Sequence, residues 1–483
     1  MESSSRIKRQ HVVAMPYPGR GHINPMMNFC KLLTTKFLDI DDLRITFVVT
    51  EEWLGFIESS LSDSILPPQI RLRAIPNVIP SELVRGLDLG GFFVAVQTKM
   101  EDPFEKLLDQ LVKDGDPATV VTTIIADATL PWAVYVANRR NVQVVSLWPM
   151  SPSVFSIYKH IDLLAHNGHY PVDFSSECGD QLVDYIAGVS PIRLADMPSV
   201  LKRFAQQFLG SVKESIAAAC KAKCLLFTTY HELEPQVIES LMKILPLPVY
   251  SVGPSIPLSA ALEDEAHNNV NRAEHYYLDW LDSQPENSVL YVSFGSFLSA
   301  SSEQMEEILS GLRESGVRYF LVSRGAQSYT NNSIADGDAD NELSSTQSFV
   351  VPWCDQLRVL CHSSVGGFWT HCGWNSTLEG VYAGVPMLTF PVAMDQITNS
   401  KLIVDDWKIG MKVTKEVGAD KVVKRDEIAM TVKKFMNSNG EDEESIEMRT
   451  RANEFKKICR QVLAKGGSST TNLDNFIRNI LQY

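Results

Sequence analysis

Short apolar runs alternate along the first half of the chain with segments whose apolar positions recur at helical spacing. The first two runs are HVVAMP at 11–16 and RITFVVT at 44–50, and the helical segment NPMMNFCKLLTTKF lies between them. Four similar runs follow: VVTTIIAD, VQVVSL, CLLFTT and VYSVG. Runs that are rich in β-branched residues and lack polar alternation are typical of strands buried on both faces. Their alternation with helices therefore predicts a parallel sheet covered on both sides.

This pattern stops after Gly253-Pro254 and then begins again. A polar, proline-containing stretch follows that dipeptide, and SVLYVSFGS opens a second series of strands and helices. We therefore predict an α/β fold with two Rossmann-like domains facing a cleft, at 1–253 and 273–483, joined by a linker at 254–272. Ligands of such sheets bind beyond the carboxyl ends of the strands, so the loops there are where chemistry is expected.

The composition is that of a soluble protein with an acidic balance. Of the 483 residues, 45% are hydrophobic and 21% are charged, and the net charge is −14. This balance disfavours partners such as nucleic acid or anionic membranes, and it requires a phosphate site to rely on local dipoles. No apolar stretch reaches the roughly 18 residues of a membrane span, and no signal peptide is recognisable. We expect a cytoplasmic monomer whose eight cysteines, which form no CxxC pair, are reduced.

The segment from Trp353 to Gln396 carries the most chemistry. It sets His, Trp, Asn, Ser, Glu, Asp and Gln side chains among glycine-rich turns, a mixture suited to a base, two hydroxyl-rich rings and a diphosphate. Within it, VGGFWTHCGWNSTLEG predicts a strand, a tight turn and a helix, with Asn375 and Ser376 as capping residues at the helix start. Free N–H groups and the positive dipole end at such a start bind phosphate without a metal, and Gly373 allows close approach. Simple helix capping is the alternative interpretation of this turn.

An acidic segment elsewhere provides no convincing metal site. Asp336, Asp338 and Asp340 begin like a calcium loop, but Asn341 replaces the required glycine and Gln347 replaces the bidentate glutamate. A solvated acidic loop is the interpretation we favour over a metal motif for a diphosphate. We predict neither a metal nor a cofactor beyond the co-substrate named below.

The segment 353–396 resembles the signature box of plant family 1 UDP-dependent glycosyltransferases, the small-molecule glucosyltransferases of secondary metabolism. SVLYVSFGS, TTYHELEP, VYSVGP and WLDSQPENS are also similar to family segments, so the resemblance covers nearly the whole chain. It implies the two-domain fold called GT-B, with the last helix returning to the N-terminal domain. It also implies UDP-glucose as the co-substrate.

The resemblance implies a role for each matched position. Trp353 would stack on uracil, and the Cys354 backbone would pair with the base edge. Gln356 and Glu379 would bind the ribose hydroxyls. The remaining positions would contact the diphosphate, namely His371, Asn375, Ser376 and Ser296, or the sugar hydroxyls, namely Trp374, Asp395 and Gln396.

Some positions bear on which sugar is transferred. In the family, Gln at the last position of the box goes with glucose, so Gln396 favours UDP-glucose. Asp355 stands where Pro is usual, Phe390 where Trp is frequent, and Met394 where a small or polar residue is common. Because Met394 borders the pair predicted to bind the sugar, a pentose donor stays open.

A histidine and an aspartate are predicted to carry the catalysis. His22 follows the first strand in PYPGRGHINPMM, and Asp127 ends a neighbouring strand before DATLPWA. A His base would remove the acceptor proton, and an Asp bonded to the other ring nitrogen would fix the tautomer. Both positions match the family's catalytic pair, which implies a single in-line displacement with inversion to a β-glucoside. A structural His in a turn and an Asp that caps a helix are the alternatives.

The acceptor is expected to be a small lipophilic alcohol or acid. Segments 86–100 and 148–174 are rich in Phe, Trp, Tyr and Met, which would suit a phenolic, flavonoid, terpenoid or hormone, although packing within the domain core would explain them equally well.

Three other functions stay open at this point. One is an NAD(P)-dependent oxidoreductase, because Gly19 and Gly21 form half of a dinucleotide fingerprint and Glu51 ends the second strand, although Asn24 replaces the third glycine. A non-catalytic UDP-sugar-binding protein and a UDP-glucose hydrolase are the other two.

Overall fold

The computed structural model covers the chain in twelve segments. They are residues 9–37, 42–60, 66–86, 88–113, 120–171, 178–202, 206–256, 276–295, 301–323, 347–414, 422–437 and 443–482. Ser296, the acidic residues 336–340 and most of the predicted linker at 254–272 lie outside the described residues.

Fifteen strands within these segments form two large parallel sheets and one hairpin. The strands are β1 Gln10–Met15, β2 Leu43–Thr50, β3 Ile70–Ile75, β4 Thr123–Asp127, β5 Gln143–Trp148, β6 Leu182–Val183, β7 Ile192–Arg193, β8 Leu225–Phe227, β9 Val249–Ser251, β10 Val289–Ser293, β11 Arg318–Val322, β12 Ser348–Val351, β13 Val365–Thr370, β14 Met387–Thr389 and β15 Gly410–Lys412. The first sheet has the order β3-β2-β1-β4-β5-β8-β9 and the second β12-β11-β10-β13-β14-β15, while β6 and β7 pair antiparallel.

Helices connect the strands of both sheets and cover their faces. They are α1 Arg20–Thr34, α2 Glu51–Ser60, α3 Leu89–Lys99, α4 Glu101–Lys113, α5 Pro131–Arg139, α6 Pro152–Lys159, α7 Ile161–His166, α8 Gln206–Ala219, α9 Pro235–Ile244, α10 Tyr276–Asp282, α11 Ser302–Ser315, α12 Gln356–Leu360, α13 Trp374–Ala383, α14 Gln396–Lys401, α15 Arg425–Met436, α16 Glu443–Leu463 and α17 Ser468–Phe476. Short 3₁₀ turns lie at Glu82–Val84, Leu194–Asp196, Ser199–Leu201 and His231–Leu233, and π-helical turns at Leu402–Asp406 and Ile477–Leu481. Within the described segments, none of these helices has the length and apolarity needed to cross a bilayer.

The register of the first sheet brings the two predicted catalytic positions together. β1 lies between β2 and β4, with Ala14 opposite Phe47 on one side and Ile125 on the other. The carboxyl ends of β1 and β4 are therefore neighbours. His22, on the first turn of α1, and Asp127, the last residue of β4, project at this shared edge.

The second sheet presents the donor segment in the same way. β13 lies between β10 and β14, with Thr370 opposite Ser293 on one side and Thr389 on the other. The turn after Thr370 and the loop after β14 are consequently adjacent. These two connections, together with the helices α13 and α14 that they lead into, carry eight of the twelve residues predicted to bind the nucleotide sugar.

The end of the chain returns to the N-terminal domain. The Phe476 ring lies 5.9 Å from the Phe29 ring, and Lys36 forms an ion pair of 2.8 Å with Asp474. Gln143 also donates a hydrogen bond to a carbonyl of the last π-helical turn. The predicted fold class, two Rossmann-like domains with a returning C-terminal helix, is confirmed, while the domain boundaries stay predictions.

The prediction missed two edge strands and the hairpin. β3 has the sequence IRLRAI, whose Arg71 and Arg73 break the apolar run because a strand at the edge of a sheet is less buried. β15 is only three residues long, and β6 and β7 have two residues each. Segments this short show no periodicity that a sequence pattern can reveal.

Candidate active site

A cavity of about 630 Å³ lies between the two domains and is lined by residues from both. It is lined by twelve of the fourteen predicted site residues: His22, Trp353, Cys354, Gln356, His371, Gly373, Trp374, Asn375, Ser376, Glu379, Asp395 and Gln396. Asp127 lies behind His22, and Ser296 is outside the described residues. The predicted base and the predicted uracil platform therefore face one crevice.

His22 and Asp127 form a hydrogen-bonded pair at the cleft. His22 Nδ1 lies 2.8 Å from Asp127 Oδ2. The His22 side chain is 23% exposed, whereas the Asp127 side chain is fully buried. Because Nδ1 is held by the carboxylate, Nε2 is the ring nitrogen left to accept a proton from an acceptor. This is the arrangement in which an aspartate fixes the tautomer of a catalytic imidazole.

The surroundings of Asp127 favour its ionised form. Burial raises the pKa of this carboxyl, but the charge and hydrogen bond of His22, together with Thr129, outweigh burial and hold the pKa below its usual value. Thr129 donates from its backbone nitrogen at 3.0 Å and from its hydroxyl at 2.6 Å to Asp127 Oδ1. The helix that follows has Leu130 at its N-cap and no side-chain cap, so Asp127 does not cap it.

Trp353, at the other end of the cavity, has the exposure that a stacking platform needs. Its side chain is 59% exposed although it lines the cavity. Base–aromatic stacking is a favourable use of an exposed indole that lines a cavity. The neighbouring Asp355 caps α12 by accepting from the Arg358 backbone at 3.2 Å.

Gln356 and Glu379 are joined to each other and to the sheet. Gln356 Nε2 donates to Glu379 Oε2 at 2.5 Å and to Ser376 Oγ at 2.9 Å, and its Oε1 accepts from the Tyr291 hydroxyl at 3.1 Å. Burial raises the pKa of Glu379 to about 7, and the hydrogen bond from Gln356 offsets this only in part. The carboxyl therefore changes charge near neutral pH in the ligand-free protein.

The start of α13 leaves backbone N–H groups free for an anion. The helix begins at Trp374 with Gly373 at the N-cap, and no side chain caps it. The prediction that Asn375 and Ser376 serve as caps is therefore wrong, because both lie inside the first turn. The residues of this uncapped first turn line the cavity, so the positive end of the helix dipole lies there. This suits a diphosphate in a protein with net negative charge.

His371 is held between two glycines beneath this helix start. A Cβ atom at Gly373 would lie 2.5 Å from His371 Nε2, and one at Gly295 would lie 2.6 Å from it, so only glycine fits at either position. Burial lowers the pKa of His371 to about 4, and a hydrogen bond to the Ser293 backbone offsets this only in part. The ring is thus neutral at physiological pH and adds no positive charge to the cavity.

The loop after β14 places Asp395 and Gln396 opposite His22. Burial raises the pKa of Asp395, and the hydrogen bond from Asn399 and the facing His22 only partly oppose it. Gln396 Oε1 accepts from the backbone of Val392 and Ala393, at 2.9 and 3.1 Å, which closes the loop. The amide nitrogen of Gln396 is then the group of that side chain available for a sugar hydroxyl.

Two predicted residues have contacts that their assigned roles did not anticipate. The Trp374 indole is only 3% exposed and packs against Trp407, with ring centroids 6.2 Å apart. Asn375 Nδ2 donates to the Gly21 carbonyl of the opposite domain at 2.8 Å. The roles predicted for both, at the sugar and at the diphosphate, stay predictions.

The acceptor side of the cavity is largely apolar and includes a wall that the sequence reasoning missed. Leu89, Phe93, Trp148 and Met150 come from the predicted segments. The missed wall is α8, which contributes Phe208, Val212, Ser215 and Ile216. Its apolar residues recur at intervals of four, a pattern that would have revealed a helix face. The rings of Phe93 and Phe208 meet edge to face, with centroids 5.2 Å apart.

Comparisons with known proteins decide the family. The family model described as UDP-glucoronosyl and UDP-glucosyl transferase matches residues 109–443, more than half of the chain. UDP-glycosyltransferase 87A2 of Arabidopsis thaliana is 48% identical over 471 residues, which are 98% of this chain and 97% of that protein. The chain belongs to the plant family 1 UDP-glycosyltransferases. It is therefore a glycosyltransferase that uses a UDP-sugar, and neither an oxidoreductase nor a non-catalytic binder is favoured.

Other members of the family are similar over the same length. The 7-deoxyloganetin glucosyltransferase of Catharanthus roseus is 32% identical over 99% of this chain and 98% of its own. Among solved structures, Medicago truncatula UGT71G1 complexed with UDP-glucose superposes with a TM-score of 0.77, at 24% identity, over 98% of each chain. At that identity the superposition supports the GT-B fold alone.

Proposed function

We propose that this protein transfers glucose from UDP-glucose to a hydroxyl or carboxyl of a small lipophilic acceptor, with inversion at the anomeric carbon. The observation that carries the proposal is the hydrogen-bonded His22–Asp127 pair facing the same cavity as Trp353 and Glu379. A donor held by the C-terminal domain would therefore present its sugar to a base on the N-terminal domain.

The chemistry follows from the two sides of the cavity. His22 Nε2 removes the acceptor proton as the acceptor oxygen attacks the anomeric carbon, and Asp127 stabilises the imidazolium that forms. The bond to the UDP oxygen breaks on the opposite face of the sugar. The amides of the α13 start donate hydrogen bonds to the departing diphosphate, where negative charge develops. One displacement of this kind converts an α-linked donor into a β-glucoside.

The donor and the acceptor class rest on particular residues. Asp395 as acceptor and the Gln396 amide as donor suit the vicinal hydroxyls of a hexose, because a site built to pair with hydroxyls discriminates against sugars that lack them. The walls formed by Phe93 and by α8, which includes Phe208, suit a flat or fused-ring alcohol. The glucosyltransferase name of the Catharanthus relative also supports glucose as the sugar.

A product assay tests the proposal directly. The protein is incubated with UDP-glucose and a set of phenolics, flavonoids, terpenoids and hormones, and products are read by a mass gain of one hexose. We expect transfer to at least one class and a β-linkage by NMR. Preference for UDP-xylose would overturn the glucose assignment. UDP release that no acceptor increases would favour a hydrolase instead.

The base is tested with a matched pair of histidine variants. His22→Ala should lower kcat by about 10²–10⁴, the usual contribution of general base catalysis, with UDP-glucose binding retained. His362→Ala, which removes a histidine that contacts Asp282 away from the cavity, should keep wild-type turnover. Near-normal turnover of the His22 variant would refute the assignment of the base.

A further inference from the structure

We infer that Ser199 of the N-terminal domain is a positioning residue for donor-sugar recognition, because it fixes the loop that carries Asp395 and Gln396. The inference rests on the proposed function of that loop. Ser199 donates its backbone N–H to the Met394 carbonyl at 3.0 Å and accepts the Met394 N–H on its hydroxyl at 2.7 Å. These two hydrogen bonds between Ser199 and Met394 form the Ser199 clasp.

Met394 has a backbone conformation that needs such support. Its φ of +62° lies in the left-handed region, which residues with a Cβ atom rarely adopt. Both of its backbone polar groups are bonded to one residue of the other domain. The clasp therefore holds a conformation that the loop by itself does not favour, directly before the two residues predicted to bind the sugar.

A second interdomain contact fixes the same loop on its other side. The Thr398 hydroxyl donates to the Asp196 carbonyl at 2.9 Å, and both residues are buried. Arg193 holds Asp196 in place through two hydrogen bonds, of 2.7 and 3.0 Å, to its carboxylate. Asp395 and Gln396 thus lie between two points of attachment to the N-terminal domain.

The clasp also connects the sugar loop to the acceptor side of the cavity. Ser199 begins the 3₁₀ turn Ser199–Leu201, and Val200 of that turn lines the cavity. A change in the position of this turn would move both an acceptor wall and the backbone of Met394. Sugar recognition by the C-terminal domain is therefore set partly by the N-terminal domain.

The test separates the sugar from the rest of the donor. Binding of UDP and of UDP-glucose is measured by calorimetry without acceptor for the wild type, Ser199→Ala and Ser199→Thr. In Ser199→Ala the Met394 N–H loses its acceptor, so we expect UDP-glucose to bind about tenfold more weakly, with a parallel rise in KM and a smaller change in kcat. UDP, which lacks the sugar, should bind within about twofold of wild type. Ser199→Thr keeps the hydroxyl and should restore UDP-glucose binding.

Ser190→Ala is the matched control. Ser190 also bonds across the domains, to Lys401 and Asp406, and those two residues keep their own ion pair without it. This variant should bind UDP-glucose like the wild type.

Three results would overturn the inference: unchanged UDP-glucose affinity in Ser199→Ala, equal weakening of UDP and UDP-glucose, or no rescue by threonine. The proposed function fails separately if the wild type binds UDP but neither binds UDP-glucose nor transfers its glucose. When the wild type transfers glucose and Ser199→Ala matches it, only the clasp is wrong.

Discussion

Binding of UDP-glucose should weaken below neutral pH because the ionised Glu379 accepts hydrogen bonds from the ribose more strongly than the protonated carboxyl does. Burial raises the pKa of this carboxyl to about 7 in the ligand-free protein, and Gln356 occupies one of its oxygens. Above pH 7 the carboxylate predominates and affinity should be constant. Below pH 7 each unit of pH costs about a factor of ten, so affinity at pH 6 should be roughly tenfold lower than at pH 8.

The assay is calorimetric titration between pH 5.5 and 8 in the His22→Ala background, which removes the proposed base from the cavity. UDP-glucose is the ligand of choice, since its diphosphate is esterified at both ends and has no group that titrates in this range. His371 stays neutral throughout because its pKa lies at about 4. Any contribution of Asp395 remains in the Glu379→Gln variant and is measured there.

The Glu379→Gln variant should bind UDP-glucose more weakly than wild type at pH 8. Its affinity should change by less than about threefold between pH 8 and pH 6. A wild-type affinity that varies by less than twofold over this range would refute the reasoning. The same conclusion would follow if Glu379→Gln kept the tenfold dependence.

Three further predictions follow from other contacts. Asp127→Asn keeps the Thr129 hydrogen bonds but loses the charge that stabilises the imidazolium. We therefore expect kcat to fall by about 10²–10⁴, while UDP-glucose affinity, measured by calorimetry, stays within about twofold of wild type. A kcat within threefold of wild type would contradict this. Trp353→Ala should weaken UDP binding by about 1–3 kcal/mol, the contribution of one stacked base, and Trp353→Phe by less, whereas equal losses would argue against stacking. Burial raises the pKa of Glu234 from 4.5 to about 7, and the hydrogen bonds from Ser153 oppose this only in part. Between these two pH values the folded state keeps a proton on Glu234 that the unfolded state releases. The free energy of unfolding should therefore fall by up to about 3 kcal/mol as the pH rises from 4.5 to 7. Glu234→Gln should remove this loss, and parallel denaturation profiles of variant and wild type between pH 5 and 8 would exclude it.

The residues that could be predicted from sequence are those whose role depends on local order. The run from Val365 to Glu379 forms a strand, a turn and a helix because apolar, glycine and polar residues follow one another in that order. The carboxyl ends of neighbouring parallel strands also meet wherever the topology is regular, which brought His22 to Asp127 although they are 105 residues apart. Both inferences need only short-range pattern and a known sheet geometry.

What escaped prediction depends on contacts between segments far apart in the chain. Whether Asn375 caps a helix or reaches Gly21 in the other domain is decided by how closely the domains approach. The clasp between Ser199 and Met394 joins residues 195 positions apart, and the sequence around neither residue indicates the contact.

By itself, therefore, the order of residues determined the two Rossmann-like domains, the donor segment and the chemical types available at the cleft. The tertiary structure alone decided which of those groups are buried, and hence that Glu379 titrates near neutral pH while His371 stays uncharged. The physical reason is that side-chain identity sets which hydrogen bonds and charges are available. Their strength and protonation state depend on desolvation and on neighbours that only packing brings within reach.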